Sequence, residues 1–293
     1  MSIADPLKIE PWLDLSETAL DSEAFDQAAP SAPPARYFIL AQRRSGSYML
    51  CRALIRAGLG VPHEYFLKDH LRTLAARWDV APGPRRGPAS SDYLEALVQR
   101  RSQGGYFGAK LQYWQYARAL ASPDGDRLLK GARFIYLYRD DLMRQAISFR
   151  HAEITGRWGS DGQVTTRQLE RADPLDAAAI DRKLNLLIHD EVGWRSFIAR
   201  RGLDPLRVSY EELCADFSGV MARIAAHLGA PLSAVERLEP EPNSVHARQD
   251  TDLKRRMTEA YLAARQGAQA GTWRHPAADA LWSLWARYNE RRR

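Results

Sequence analysis

The chain has 293 residues, of which 45% are hydrophobic, and this length suits one substantial core rather than two large domains. Its 42 basic and 36 acidic residues give a net charge of +6, but the basic pairs are dispersed among acidic residues, which argues against nucleic-acid binding. The two cysteines lie far apart, which argues against a disulfide framework, and no spacing of Cys and His indicates a metal motif. Since we find no signal sequence and no apolar run long enough for a transmembrane segment, we expect a cytoplasmic protein.

Strand-like and helix-like segments alternate along most of the chain. The first 35 residues are acidic, rich in Ala and Pro and without a sustained period, which predicts a mobile or loosely packed leader. Residues 36–293 are expected to form one domain, whose C-terminal part is helical from about residue 249. The predicted strands are 36–42, 105–111, 132–139 and 205–210, with a short extended piece at 61–66. The predicted helices are 47–58, a segment ending near 78, 91–101, a segment through Trp114 and Leu120, one from Leu142, 178–200, one ending at Gly229, and two patterns separated by Gly271.

This alternation predicts an α/β fold. The run "ARFIYLYR" at 132–139 has no polar alternation, as in a strand that is covered on both faces. The alternation of strands and helices indicates a three-layer architecture with a mainly parallel central sheet flanked by helices. In such sheets ligands bind beyond the carboxyl ends of the strands.

The segment "RRSGSY", residues 43–48, lies between the first predicted strand and the first helix. It is either an ordinary turn with a serine cap or an anion cradle, in which backbone N–H groups and an arginine face a phosphate-like group. The Walker A pattern GxxxxGK[ST] is absent, and this argues against an ATP or GTP hydrolase.

Two charged residues mark the neighbouring segments. Arg139 ends the strongest strand and Ser148 follows nine residues later, so that the two could hold a second phosphate. A local salt-bridged turn capped by an aspartate is the alternative for Arg139 and its neighbours Asp140 and Asp141.

Glu64, in "PHEYF", stands among apolar residues, where burial would raise its proton affinity and make it a usable general base. A carboxylate at an exposed strand edge is the other interpretation.

Residues on either side of these motifs could contact a sugar. Lys110 and Trp114 are four apart and would share a face that offers a cation and an aromatic surface. A core tryptophan and a solvated lysine are the alternative. His63 could hydrogen-bond an acceptor, although a lone histidine in an apolar context also fits a structural role.

The order of these motifs resembles a known family. The motifs are, in chain order, the RxGS loop at 44–47, PHEYF, FGxK at 107–110, a strand ending in arginine, QAIS at 145–148 and TGRW at 155–158. Over roughly residues 36 to 250, this order resembles that of the bacterial carbohydrate sulfotransferases of the trehalose 2-sulfotransferase type. The resemblance implies a P-loop-like α/β fold and transfer of a sulfuryl group from 3′-phosphoadenosine 5′-phosphosulfate (PAPS) to a hydroxyl of a saccharide or glycolipid. The product would be adenosine 3′,5′-bisphosphate (PAP), and no metal would be required.

The resemblance also implies roles for particular residues. Those expected to wrap the 5′-phosphosulfate are Arg44, Ser45, Gly46, Ser47 and Tyr48, and Arg43 is also expected in the donor site. Arg139 and Ser148 would hold the 3′-phosphate, and "ARQD" at 247–250 would bring Arg248 and Gln249 to the donor. Glu64 falls on the presumed general base, and Arg44 would stabilise the leaving oxygen. The acceptor site would contain His63, Glu64, Tyr65, Lys110 and Trp114.

The chain departs from the family pattern at two positions. Asp140 stands where the family often has a second arginine, and Tyr48 replaces the usual threonine. The family precedent implies a homodimer, and the positive net charge would help the protein approach anionic membrane lipids that carry the acceptor. Two other functions remain open: a P-loop-type nucleotide-dependent kinase or hydrolase, and a non-catalytic adenine-nucleotide-binding protein.

Overall fold

A computed structural model of the chain describes residues 15–16, 19–28, 32–158, 176–240 and 247–268, with the side chains of the last segment described from 252 to 266. Its strands form one sheet in the order β2-β3-β1-β4-β5. They are β1 (Ala35–Ala41), β2 (Ser102–Gln103), β3 (Tyr106–Gln112), β4 (Arg133–Tyr138) and β5 (Leu206–Ser209). Strands β3, β1, β4 and β5 run parallel to one another, and β2 pairs with β3 in the antiparallel direction. The predicted, mainly parallel sheet is therefore confirmed.

Helices follow most of these strands. The first five are α1 (Ser47–Arg56), α2 (Lys68–Arg77), α3 (Ser91–Arg101), α4 (Tyr113–Gln115) and α5 (Pro123–Leu129). The others are α6 (Leu142–Thr155), α7 (Ala177–Arg201), α8 (Tyr210–Ala215), α9 (Phe217–Leu228) and α10 (Ala247–Ala268). A π-helical turn at Tyr116–Leu120 continues α4. None of the described helices combines the length and the apolar character that crossing a bilayer requires.

The central strand β1 separates two apolar layers, because successive side chains of a strand point to opposite faces. Phe38 and Leu40 pack with residues of α2, α3, α5 and α7. Tyr37, Ile39 and Ala41 pack with α1 and α9 on the other face. Helices thus cover both faces of the sheet, and the three-layer α/β architecture is confirmed. A third cluster joins α6, α7 and α10 beside these layers.

Several elements differ from the sequence predictions. Residues 61–66 form no strand, and α5 was not predicted. The helix predicted to end at Gly229 is two helices, since Asp216 adopts φ −139° and ψ 69° and its carboxylate accepts a hydrogen bond from the amide of Gly219 at 2.9 Å. Asp216 thereby ends α8 and caps the start of α9. The helical pattern predicted after Gly271 lies outside the described residues.

The described part of the leader packs onto the domain. Leu15, Leu20 and Phe25 are buried against residues of α1 and the segment that follows it. Arg101 donates a hydrogen bond to the Leu20 carbonyl at 2.8 Å, and Asp26 accepts one from Trp78 at 2.9 Å. The sequence predicts a loosely packed leader because its scattered apolar residues show no period, and the structure differs for residues 19–28.

The carboxyl ends of the four parallel strands open on one edge of the sheet. The chain leaves β1 after Ala41, β3 after Gln112, β4 after Tyr138 and β5 after Ser209. The motifs singled out from the sequence follow these four positions. This edge is where an α/β sheet binds its ligands.

Candidate functional site

The loop after β1 has an unusual backbone. Gly46 has φ +80° at the N-cap of α1, and Arg44 has φ +65°, which is uncommon for a residue with a Cβ. The Ser45 hydroxyl donates a hydrogen bond to the Gln42 carbonyl at 2.8 Å and tightens the turn. Gly46, the N-cap residue of α1, has no side chain with which to cap the helix. The start of α1 thus has the form of an anion-binding helix N-terminus, as the cradle interpretation requires.

Tyr210, the first residue of α8, packs against this loop at Gly46. A Cβ added at Gly46 would lie 2.6 Å from Cδ2 of the Tyr210 ring, so only glycine fits here. The guanidinium carbon of Arg139 lies 4.5 Å from the centre of the same ring, and its Nε is 3.5 Å from Oε1 of Glu211. The arginine at the end of β4 is thus held beside the loop that follows β1.

Arg44 connects three of the sequence motifs. Its Nε donates a hydrogen bond to the Ser148 hydroxyl at 3.2 Å, across 104 residues of sequence. Its guanidinium also donates to the carbonyl of Trp158. The RxGS loop, QAIS and TGRW therefore meet at one guanidinium. The two phosphate-holding segments predicted from the sequence are adjacent in space.

Arg43 points away from the loop towards α7. Its guanidinium is 2.6 Å from Oδ2 of Asp190 and lies within 5.5 Å of the ring centres of Trp114 and Phe149. Burial raises the pKa of Asp190, although the charge of Arg43 opposes this. The Arg43 carbonyl accepts a hydrogen bond from the Gln145 side chain at 2.7 Å. The structure thus separates the Arg43 side chain from the predicted 5′-phosphosulfate group.

Glu64 is a buried carboxylate with three polar partners. Its Oε1 is 2.6 Å from Nζ of Lys110 and accepts from the Gln112 amide at 3.2 Å, while Oε2 accepts from the Gln115 amide at 2.8 Å. Burial raises the pKa of Glu64, but the charge of Lys110 and these hydrogen bonds outweigh it and bring the pKa to about 2. The raised proton affinity expected from sequence is therefore wrong, because the sequence did not reveal the partners.

Lys110 links this carboxylate to the loop. Its Nζ lies 3.3 Å from the centre of the Tyr48 ring, in the first turn of α1, and its side chain is fully buried. Trp114 is half-buried nearby, with its indole between the guanidinium groups of Arg43 and Arg118. No described residue accepts a hydrogen bond from the Trp114 indole N–H. Trp114 therefore contacts two arginines and has a buried indole donor without a described partner.

Two residues expected in the acceptor site are engaged elsewhere. Tyr65 is fully buried in the core, and its hydroxyl donates to the carbonyl of Val61. The His63 ring is 1% exposed and lies against His70, with 4.3 Å between the ring centres. Neither side chain is exposed at the candidate site, because apolar neighbours on both sides of Glu64 draw them into the interior. The side chains of Arg248 and Gln249 lie outside the described residues.

Four residues that shape the site were not predicted from the sequence. Gln112 and Gln115 hold Glu64, Asp190 holds Arg43, and Tyr210 supports the loop. The amide at the end of an apolar strand was a usable signal for Gln112, since a polar side chain there faces the ligand edge. Asp190 stands inside a long helix, and nothing in its local sequence distinguishes it from a solvated carboxylate.

The chain is similar to known sulfotransferases. The model of the Stf0 sulphotransferase family matches residues 36–259. A trehalose 2-sulfotransferase of Mycobacterium tuberculosis (strain ATCC 35801 / TMC 107 / Erdman) is 28% identical over 245 residues, which cover 69% of this chain and 88% of that relative. One from Mycolicibacterium smegmatis (strain ATCC 700084 / mc(2)155) is 27% identical and covers 71% and 88%. A sulfotransferase structure from Alicyclobacillus acidocaldarius aligns over 80% of this chain and 96% of its own at 15% identity and a TM-score of 0.43.

The family match spans more than half of the chain and includes the loop after β1, the Glu64 segment and the end of β4. The protein therefore belongs to the Stf0 sulphotransferase family. The resemblance predicted from the order of the motifs is confirmed.

Proposed function

We propose that the protein transfers a sulfuryl group from PAPS to a hydroxyl of a saccharide or glycolipid. The observation that carries this proposal is the hydrogen bond between Arg44 and Ser148, which joins the two phosphate-holding segments at the carboxyl edge of the sheet. A donor with both a 5′-phosphosulfate and a 3′-phosphate needs two such segments side by side. Membership of the family supports the same donor.

The donor would lie between the loop and the end of β4. The first N–H groups of α1 and the guanidinium of Arg44 would bind the 5′-phosphosulfate, and Arg139 with Ser148 would bind the 3′-phosphate. Arginine suits this task because its planar guanidinium donates two parallel hydrogen bonds to an oxyanion. We extend the proposal to Arg248 and Gln249, which the family resemblance assigns to the donor.

Glu64 would act as the general base. The acceptor hydroxyl gives its proton to the Glu64 carboxylate while its oxygen forms a bond to sulfur, and the bond from sulfur to the bridging phosphate oxygen breaks. Arg44 would stabilise the charge that grows on that oxygen. A sulfate ester carries one negative charge, so arginine and backbone N–H groups can supply the neutralisation without a metal ion. Lys110, Gln112 and Gln115 fix the orientation of the carboxylate.

The acceptor would lie against Trp114. Its indole is half-buried against the guanidinium groups of Arg43 and Arg118, and its N–H donor has no described partner, so a sugar hydroxyl would complete this cluster. The trehalose 2-sulfotransferases that this chain resembles make a saccharide the natural acceptor class. A glycolipid that carries such a sugar would present the same hydroxyls, and the positive net charge would favour contact with an anionic membrane surface.

Binding of PAP, 5′-AMP and Mg-ATP to the wild type and to Arg139→Ala, measured by calorimetry, tests the donor site. We expect the wild type to prefer PAP, and the variant to lose affinity for PAP by roughly 10- to 100-fold, since a hydrogen bond to a charged group contributes about 1.5–3 kcal/mol. Arg195→Ala, which removes an exposed arginine paired with Glu191 on α7, should leave PAP binding unchanged. A preference for Mg-ATP would instead favour a nucleotide-dependent kinase or hydrolase.

The general base is tested with Glu64→Gln. We expect turnover with PAPS and a saccharide acceptor to fall by about 100-fold or more, while PAP binding stays within twofold of wild type. Glu153→Gln is the matched control, because Glu153 also pairs with a lysine, Lys183, but on the surface of α6. Wild-type turnover in Glu64→Gln would show that another group removes the proton. Unchanged PAP binding with no turnover in any preparation would favour a non-catalytic adenine-nucleotide-binding protein.

We also propose a cytoplasmic homodimer. Cys51 and Cys214 are both free thiols, which suits a reducing compartment. Ile188 and Val192, four residues apart on α7, are exposed and offer apolar area to a second copy. Light scattering would test the dimer, and Val192→Lys should shift the protein towards the monomer if α7 lies in the interface.

A further inference from the structure

Asp21, His63 and His70 come together next to the segment that carries Glu64. Asp21 ends a short helical turn of the leader, His63 precedes Glu64, and His70 lies in the first turn of α2. Nδ1 of His70 is 2.5 Å from Oδ2 of Asp21, and Nε2 of His63 is 3.6 Å from Oδ1. One potential ligand atom from each residue lies within 4.8 Å of the other two. The three are far apart in sequence, so no spacing reveals them.

The His63 ring is buried without a hydrogen bond. It is 1% exposed, and neither of its ring nitrogens has a hydrogen-bond partner among the described residues. Its neighbours are the edges of the Tyr65 and His70 rings, at 5.6 and 4.3 Å between centres. Oδ1 of Asp21, which Nε2 of His63 approaches most closely, is also buried and unpartnered. An imidazole that folding removes from water normally finds a partner, so this cluster lacks one component.

We propose that Asp21, His63 and His70 bind a divalent transition-metal ion of the zinc type. Zinc binds imidazole nitrogen and carboxylate oxygen at about 2.0–2.2 Å with tetrahedral geometry, which places ligand atoms about 3.3 Å apart. His70 Nδ1 and His63 Nε2 approach different oxygens of Asp21, at 2.5 and 3.6 Å, and one ligand atom from each residue lies within 4.8 Å of the other two, so side-chain shifts would bring one oxygen and two nitrogens to this spacing. Two imidazoles select zinc, cobalt or nickel over magnesium and calcium, which prefer oxygen ligands.

Three protein ligands leave the fourth position of a tetrahedral ion to water, and the Asp21 side chain, which is 12% exposed, is where solvent reaches the cluster. The ion would clip the leader to α2 and to the segment that carries Glu64. The His63 carbonyl is held from the other side by the Lys110 amide at 3.0 Å. The site goes beyond the proposed sulfuryl transfer and does not depend on it.

Metal binding to the full, tag-free chain tests the proposal after removal of bound metal with a chelator. Zn²⁺ and Mg²⁺ are titrated by calorimetry, and Co²⁺ is followed by visible absorption, which reports tetrahedral coordination. We expect one Zn²⁺ or Co²⁺ per chain, no Mg²⁺ binding, and a rise in melting temperature with Zn²⁺. Because the readout is metal binding, failure here leaves the sulfotransferase assays unaffected.

The variants Asp21→Asn and His70→Ala should weaken Zn²⁺ binding by more than the roughly 10- to 100-fold that the loss of an outer-shell partner costs. His189→Ala is the matched control, since His189 also lies beside an aspartate, Asp190, but is exposed on α7. If a variant does not fold, X-ray absorption of the Zn²⁺-loaded wild type decides, and we expect two imidazoles around the ion. No stoichiometric Zn²⁺, a shell without two imidazoles, or full binding by the folded variants would overturn the proposal.

Discussion

Replacing Lys110 with methionine should destabilise the protein strongly. Lys110 and Glu64 form a buried ion pair with 2.6 Å between Nζ and Oε1, and Glu64 is 7% exposed. The partners of Glu64 lower its pKa from 4.5 to about 2. At about 1.4 kcal/mol per unit, this corresponds to about 3 kcal/mol of stability at neutral pH. Removing one member of a buried pair costs a similar ~3–5 kcal/mol, because the other charge stays buried and unpaired.

Urea unfolding followed by tryptophan fluorescence measures this loss. We expect Lys110→Met to lose about 3 kcal/mol in the free energy of unfolding at pH 7. Lys130→Met, which changes an exposed lysine after α5, should stay within about 0.5 kcal/mol of wild type. In the double variant Lys110→Met with Glu64→Gln much of the stability should return, because no unpaired charge remains.

The pH dependence gives a second test of the same pair. Since the folded-state pKa of Glu64 lies below the unfolded value of 4.5, its contribution is complete above pH 4.5 and is lost as the pH falls towards 2. The difference between wild type and Lys110→Met should therefore shrink over this range. A loss below 1 kcal/mol at pH 7 would refute the reasoning, since it would mean that water reaches the carboxylate when the lysine is absent.

Two further predictions concern the loop and the thiols. Gly46→Ala should weaken PAP binding at least tenfold in calorimetry, because its φ of +80° and the 2.6 Å approach to Tyr210 force the loop to shift; unchanged affinity would show that the loop does not hold the donor. Burial raises the pKa of the Cys51 thiol to about 12, so iodoacetamide at pH 8 should label Cys214 and not Cys51 in the native protein, as read by mass spectrometry. Equal labelling of the two thiols would contradict the burial of Cys51.

The sheet was predictable because its strands are apolar on both faces. The runs that became β1, β3, β4 and β5 each lie within about one or two residues of their predicted bounds, and the helices between them have clear apolar periods. The errors occur where local sequence is ambiguous. The short helix α5 follows Pro123 with only seven residues, and the break at Asp216 depends on one capping carboxylate inside a continuous apolar pattern.

The positions of the site residues were predictable, but their partners were not. Arg44, Ser148 and Arg139 follow from the rule that ligands bind at the carboxyl edge of a parallel sheet. The pairing of Arg43 with Asp190 and of Glu64 with Lys110 depends on contacts between distant segments. The sequence therefore indicated a buried base with raised proton affinity, whereas its partners lower the pKa.

The two sides of the Glu64 segment explain why this carboxylate can be both buried and well oriented. His63 and Glu64 are consecutive, yet the first contacts the cluster with Asp21 and the second contacts Lys110. Residues 57–67, which contain both, form no strand or helix. Besides the backbone hydrogen bond from Lys110 to His63, the segment is oriented by side chains: Glu64 by the ion pair and two amides, and His63 by the cluster with Asp21. A metal ion at the cluster would hold the backbone at His63, and its removal should therefore loosen the segment that carries Glu64.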